Sequence, residues 1–332
     1  MTKRTATVVT LAMASQLAAM AAASALTVYT SVDEENARIL LDAFNADTGV
    51  DVDMVFLSSG PALTRIEAEK AQPQADIWFG APSENHIIAK ERGLTEPYIS
   101  KNVDALPDAF KDGEGYWHAI YTNPLAIGIR NDILKERGAP VPASWEDLKN
   151  AQYEGLIQMP SPQSSGTAYA MILTLVELMG EDKAFEYMKA LGPNVQTYTQ
   201  SGTAPSGALG VGETPIAIQF TPGFLKLADE GYPVEVVFPS EGVGYEVAAT
   251  SIIKGAPDKE DAEKLVDWIT SEKGQQALSE QKTYFLPVRK GVSGGTGVPA
   301  LDDIKLVDTD AKFAAENKKR LVERWAKDVL GQ

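Results

Sequence analysis

The 332-residue chain has no cysteine, two histidines and, beyond its first two dozen residues, no long apolar run. Without cysteine there can be no disulfide framework, thiolate zinc site, iron–sulfur cluster, cysteine nucleophile or lipid attached through a cysteine. Two histidines, His86 and His118, leave little for a histidine-built metal site or several acid–base steps. Basic residues are scarce as well: 30 Lys and Arg stand against 46 Asp and Glu, a net charge of −16, and they form no long run. A nucleic-acid partner is therefore not expected, because phosphate-backbone binding needs a positive stripe. What remains is 44% apolar and 23% charged, ordinary globular composition for a chain long enough to fill two lobes.

The first 25 residues read as an export signal. Lys3 and Arg4 give a positive start, residues 6–22 are almost wholly small or apolar, and Ala23-Ser24-Ala25 is an A-x-A cleavage site before Leu26. The run is too short and too rich in alanine for a membrane anchor. Removal would leave 28 basic and 46 acidic residues, a charge of −18, on an exported, periplasmic protein.

From Leu26 onward strand-like and helix-like segments alternate. Leu26 to Thr30 is β-rich, and Ala37, Leu40, Leu41 and Phe44 then recur at helical spacing until Gly49. Strands are expected at Val50–Leu57, Asp76–Phe79, Gly155–Met159, Val195–Tyr198, Pro215–Phe220 and Val234–Phe238. Helices are expected from about Pro61, over Ser83–Arg92, and after Ser165 and Thr203. This is an α/β chain with mostly parallel sheets. The strand-like run Tyr116–Arg130, broken by Asn123-Pro124, suits a strand that leaves one sheet and enters another, and a second crossing is expected near Glu241–Tyr245. The remainder is mainly helical, ending in a helix over about Lys312–Leu330. The implied division is a leader at 1–25, a first lobe at 26–122, a second at 123–240, and a return to the first at 241–332.

Several stretches in this order carry a family resemblance. They are Leu26-Thr27-Val28-Tyr29-Thr30 with its helix, Ala75-Asp76-Ile77-Trp78-Phe79, the Tyr116–Ile129 crossing, and Pro160 to Tyr169. Ser201-Gly202-Thr203-Ala204-Pro205, Gly244-Tyr245-Glu246 leading into Ser251–Ala256, and Leu265-Val266-Asp267-Trp268 complete the set. Together they resemble the type II solute-binding proteins of ABC importers, in the branch of ferric-ion-binding proteins and of relatives that bind phosphorylated sugars or aminoethylphosphonate. The resemblance implies a two-lobed fold whose lobes close on a small solute by hinge bending, an ABC permease as membrane partner, a monomer, and neither cofactor nor catalysis.

Four strand-to-helix turns carry hydroxyls and small residues: Thr30-Ser31, Ser58-Ser59-Gly60, Ser164-Ser165-Gly166-Thr167 and Ser201-Gly202-Thr203. In open α/β sheets such turns lie where ligands bind, and each offers backbone N–H groups, a hydroxyl and room for close approach. They suit a phosphate, phosphonate or carboxylate, although each hydroxyl alone reads equally as a helix cap. Gln219, Phe220, Thr221, Glu241 and Tyr245 are candidates for the other end of the ligand. Ferric relatives are similar to one another in using adjacent tyrosines. This chain has none, and Gln219-Phe220-Thr221-Pro222-Gly223 stands where the pair would fall, with Asp33 where a histidine can sit. Iron stays an alternative, as do an exported hydrolase acting on a phosphorylated substrate and a sensory role. Gly291-Val292-Ser293-Gly294-Gly295 matches a nucleophile-elbow string but no helix follows, so a surface loop is expected.

Overall fold

The computed structural model describes residues 25–295, 297–298 and 304–332. The export signal expected at residues 1–25 thus lies, but for its last residue, outside the described residues. In chain order the elements are β1 (Leu26–Thr30), α1 (Glu34–Thr48), β2 (Val52–Phe56), α2 (Ser59–Ala68), β3 (Ile77–Pro82), α3 (Ser83–Glu91), β4 (Thr95–Glu96) and β5 (His118–Ile129). They continue through α4 (Asn131–Glu136), β6 (Ile157–Pro160), α5 (Gly166–Met179), α6 (Glu181–Leu191), β7 (Val195–Thr199), α7 (Ala204–Gly210), β8 (Ile216–Phe220), α8 (Pro222–Asp229) and β9 (Glu235–Val237). The last are β10 (Tyr245–Ile253), α9 (Lys259–Thr270), α10 (Glu272–Glu280) and α11 (Ala311–Asp328).

The strands run in the order β2-β1-β3-β10-β5-β8-β6-β7, with β4 on β10 and β9 on β5. The outer pairs, β1 with β2 and β3 and β6 with β7 and β8, are parallel, as the strand–helix alternation requires. The two crossing strands make the sheet mixed: β10 lies antiparallel to β3 and β5, and β5 antiparallel to β8. Twelve residues long and buried throughout, β5 gives its first half to one sheet and its second half to the other. The change falls at Asn123-Pro124: Glu246 pairs with Asn123, and from Leu125 onward the partner is β8. Proline has no N–H to donate, so a strand can change partner there without orphaning a donor.

Each lobe has its own core. In the first, Leu26, Val28, Leu40, Phe44, Ile77, Phe79, Ile252 and Leu265 fill one face of the sheet, and Tyr29, Ile66, Trp78 and Ile88 the other. In the second, Trp145, Tyr153, Tyr169, Leu175, Phe185 and Ile218 are buried together. The final helix, which the sequence-based division assigns to the first lobe, packs Leu321 and Trp325 into this second core. It also braces the first lobe through half-buried Lys318, which donates to Asn85 and lies 3.7 Å from Glu84 on α3. Among the described residues no helix is long and apolar enough to cross a membrane.

Candidate functional site

A cleft of about 370 Å³ lies between the lobes, a size suited to a small metabolite. The lobes meet across it. On one side the Gly166 N–H donates to Ser59 Oγ at 2.8 Å, and the Gly60 N–H to the Ser164 carbonyl at 3.4 Å. On the other, Lys226 of α8 pairs with Glu35 of α1, while Tyr284 Oη and Lys282 Nζ donate to Asp229 at 2.6 and 3.1 Å. Lys282 and Tyr284 both have positive φ, an uncommon conformation for residues with a side chain, held here where they bridge to the opposite lobe.

Three of the four hydroxyl turns converge on this cleft. Ser165, Gly166 and Thr167 open α5, and Ser201, Gly202 and Thr203 precede α7, all of them lining the space with Ser59. The Ser165 and Thr167 hydroxyls have no partner among the described residues, and in the first turn of α5 the Thr167 and Ala168 N–H groups precede any helical acceptor. Gly202 keeps the cradle open: a Cβ there would come within 2.5 Å of Thr167 Oγ1 and 2.7 Å of Ser165 Oγ. The Ser201 and Thr203 hydroxyls lie 3.1 Å apart. Gln219 also faces the cleft. Its Oε1 accepts from the Ser206 N–H at 2.9 Å, so its amide group remains available to donate. Phe220 lines the wall beside it.

Most of the other expected residues have their polar groups engaged in internal contacts. Thr30 is buried and donates to the Phe79 carbonyl. Ser31 borders the cleft, but its hydroxyl donates to the Leu57 carbonyl and accepts from Trp78 Nε1, which makes it a strut. Ser164 Oγ donates to the Gln200 carbonyl, and Gly60 makes the interlobe contact given above. Thr221 is buried behind the wall, starting α8. Glu241 accepts the Trp145 and Glu146 N–H groups, capping a short turn, and Tyr245 Oη donates to Asp308 at the surface.

A second set of cleft residues was not read as a site from the sequence. Asp33, Asn36, Tyr121, Asn123, Glu246 and Phe285 line it. Asp33 caps α1, accepting the Asn36 N–H at 3.0 Å, and burial pushes its carboxyl up. Burial, reinforced by Glu84 and Asp33, pushes the Glu246 carboxyl up to about 8. Asn123 Nδ2 donates to Glu246 Oε1 at 3.0 Å. Tyr121 stacks on Phe285 with ring centroids 3.8 Å apart. A signal for Glu246 was present: successive strand residues face opposite ways, so on β10 the acid after Tyr245 turns inward while the tyrosine turns out. Both histidines are packing residues. His86 is bonded to Ser251 Oγ and the Gly80 carbonyl, and burial pushes it down to about 4. His118 is likewise buried and pushed down to about 4. Among the described residues no group of three or more His, Asp or Glu is arranged to hold a metal ion.

Residues 76–317 match the family described as bacterial extracellular solute-binding proteins. A Haemophilus influenzae protein is 35% identical over 313 residues, covering 92% of this chain and 90% of its own length. A Salmonella typhimurium protein, provisionally named a 2-aminoethylphosphonate-binding periplasmic protein, is 26% identical over 306 residues, covering 87% and 86%. Among solved structures, the periplasmic binding protein AfuA from Actinobacillus pleuropneumoniae, with exogenous fructose-6-phosphate bound, superposes with a TM-score of 0.89 at 33% identity, covering 92% of this chain and 98% of that one. The two-lobed α/β fold, the interlobe cleft and these matches agree: the chain belongs to the bacterial extracellular solute-binding proteins, the periplasmic solute-capturing components of ABC importers.

Proposed function

We propose that this protein captures a small organic anion, a phosphorylated sugar, a phosphonate or a similar solute, and presents it to an ABC permease without making or breaking a bond. The observation that carries the reading is the cradle of Ser165, Thr167, Ser201 and Thr203 around the empty side-chain position of Gly202, at the start of α5. Three or four hydrogen bonds to an oxyanion, at about 1.5–3 kcal/mol each, are of the size that a micromolar site of roughly 8 kcal/mol requires. Donors come from neutral hydroxyls, amides and a helix start, so the anion needs no basic side chain and the chain's −16 charge is no obstacle. Exposed charges are screened beyond about 8 Å at physiological salt, which leaves local donors dominant.

In this reading the chain is exported with cleavage near Ala25 and acts as a monomer, its lobes divided near 122/123 and 240/241. Closure on the anion joins α2 to α5 and α8 to α1, and the permease distinguishes loaded from empty protein by that shape. The relatives named for fructose-6-phosphate and 2-aminoethylphosphonate support an oxyanion, while the cleft tyrosine Tyr121 is buried in an aromatic stack and has no adjacent tyrosine to chelate iron with. Mass spectrometry of solute carried through purification, followed by calorimetry, tests the proposal. Ser165→Ala and Thr203→Ala are each expected to weaken the anion about tenfold with the melting temperature little changed. Unchanged affinity in both, or no heat with any phosphorylated or carboxylated metabolite, would overturn it.

A further inference from the structure

The anion reading leaves the carboxylate-lined part of the cleft without a ligand group, and the residues there specify one. Glu246 on β10 is buried and bonded to Asn123 through Oε1 alone. Asn123, on the facing position of β5, is 1% exposed, lines the cleft, and its Oδ1 accepts no hydrogen bond among the described residues. Asp33, the half-buried N-cap of α1, adds a second carboxylate, whose oxygens accept from the Asn36 backbone and side chain. Unpaired buried acceptors such as Asn123 Oδ1 are costly unless a donor meets them.

The surrounding charges do not meet them. Asp33 and Glu35 approach from α1, Glu84 from α3, Tyr121 from β5, Lys226 and Glu230 from α8, and Lys318 from α11. Lys318 is engaged with Glu84 and Asn85, and Lys226 with Glu35 and Glu230. Glu246 is left with two acidic neighbours and no cation; burial first, and those neighbours after it, raise its pKa. A polyol would satisfy the acceptors but would leave this excess of acid untouched. A cation answers both, and the stacked Tyr121–Phe285 pair beside it offers a surface that a cation tolerates well.

We infer that Glu246, Asn123 and Asp33 form a subsite for a protonated amine, so that the preferred solute is a zwitterion whose oxyanion lies in the hydroxyl cradle. The inference rests on the anion reading. On binding, the ammonium takes hydrogen-bonding places at Asn123 Oδ1 and the Glu246 carboxylate, and the proton that Glu246 carried leaves to solvent.

Calorimetry of the whole chain with 2-aminoethyl phosphate and with ethyl phosphate, at pH 7 in two phosphate-free buffers of different ionisation enthalpy, tests this. The amine is expected to raise affinity about tenfold or more, and its binding to release on the order of one proton more than in a Glu246→Gln chain. In that variant the affinity ratio between the two ligands falls towards one. Equal affinities in the native chain, or tighter binding of glycerol phosphate than of the amine, would overturn the amine subsite and leave the anion reading standing. No binding of any of the three would overturn both. If Glu246→Gln fails to fold, the three-ligand comparison in the native chain decides alone.

Discussion

Two parts of the cleft lining are built on opposite principles. One is made of hydroxyls and amides at helix starts, carries no formal charge, and draws on Ser59 from one lobe and on Ser165, Thr167, Ser201 and Thr203 from the other. The other is made of carboxylates and an amide oxygen on the crossing strands and at the start of α1, with Asn123 and Glu246 buried and Asp33 half-buried. Helix starts expose donors by geometry, whereas a crossing strand can present acceptors only through its side chains. A solute with unlike ends is therefore expected to bind in one orientation.

The sharpest way to break the contrast is to fill the donor end. Gly202→Val drives a side chain against the Ser165 and Thr167 hydroxyls, which lie within 2.7 Å of where its Cβ would stand, and anion affinity is expected to fall about a hundredfold or more, the loss of two hydrogen bonds at about 1.5–3 kcal/mol each. Urea unfolding should move little, since Gly202 lies in a partly exposed turn. Retained affinity would remove the cradle from the site.

Thr167→Val is gentler. It preserves the shape and removes one hydroxyl, so the same titration should show about a tenfold loss.

The acceptor end should reveal itself in stability rather than in affinity for simple anions. The Glu246 carboxyl is raised from 4.5 to about 8, so the folded state holds a proton that the unfolded chain releases. Stability is therefore expected to fall as pH rises from about 4.5 to about 8, and Glu246→Gln should flatten that slope. Buried His86 and His118, lowered to about 4, act with the opposite sign: their contribution is complete above pH 6.5 and is lost as pH falls towards 4. Urea midpoints at pH 6.5 and 8 for native and variant chains separate the two effects. A native slope that survives Glu246→Gln would assign it to other groups.

The smallest effect lies at the rim. Lys226→Ala removes the pairing of α8 with Glu35, and because both partners are partly exposed, ligand release should quicken only a few-fold, about 0.2–1 kcal/mol. Stopped-flow release of the bound solute would measure it.

Much of this was legible in the chain itself. The alternation of strand and helix, the break at Asn123-Pro124 and the run of hydroxyl turns are local patterns, and the elements form where the spacing puts them. Ser165, Thr167, Ser201 and Thr203, which line the cleft, stand out in the sequence because a helix start advertises its donors. Ser31, Ser164 and Thr30 have the same advertisement and point their hydroxyls into backbone instead, a choice made by neighbours such as Trp78 and Gln200 that lie far along the chain. Tyr245 turns to the surface for a related reason: the parity of a crossing strand is fixed by its register with β5, which no local pattern reveals.

By itself, then, the sequence determined the elements and the donor-bearing turns, because backbone geometry and helix ends are set by residues within a few positions of one another. Only the tertiary structure decided which turns share a cleft, and that Asp33, Asn123 and Glu246 line it with them. Burial and the pairing of distant strands give those acids their character, and both arise only when segments more than a hundred residues apart come together.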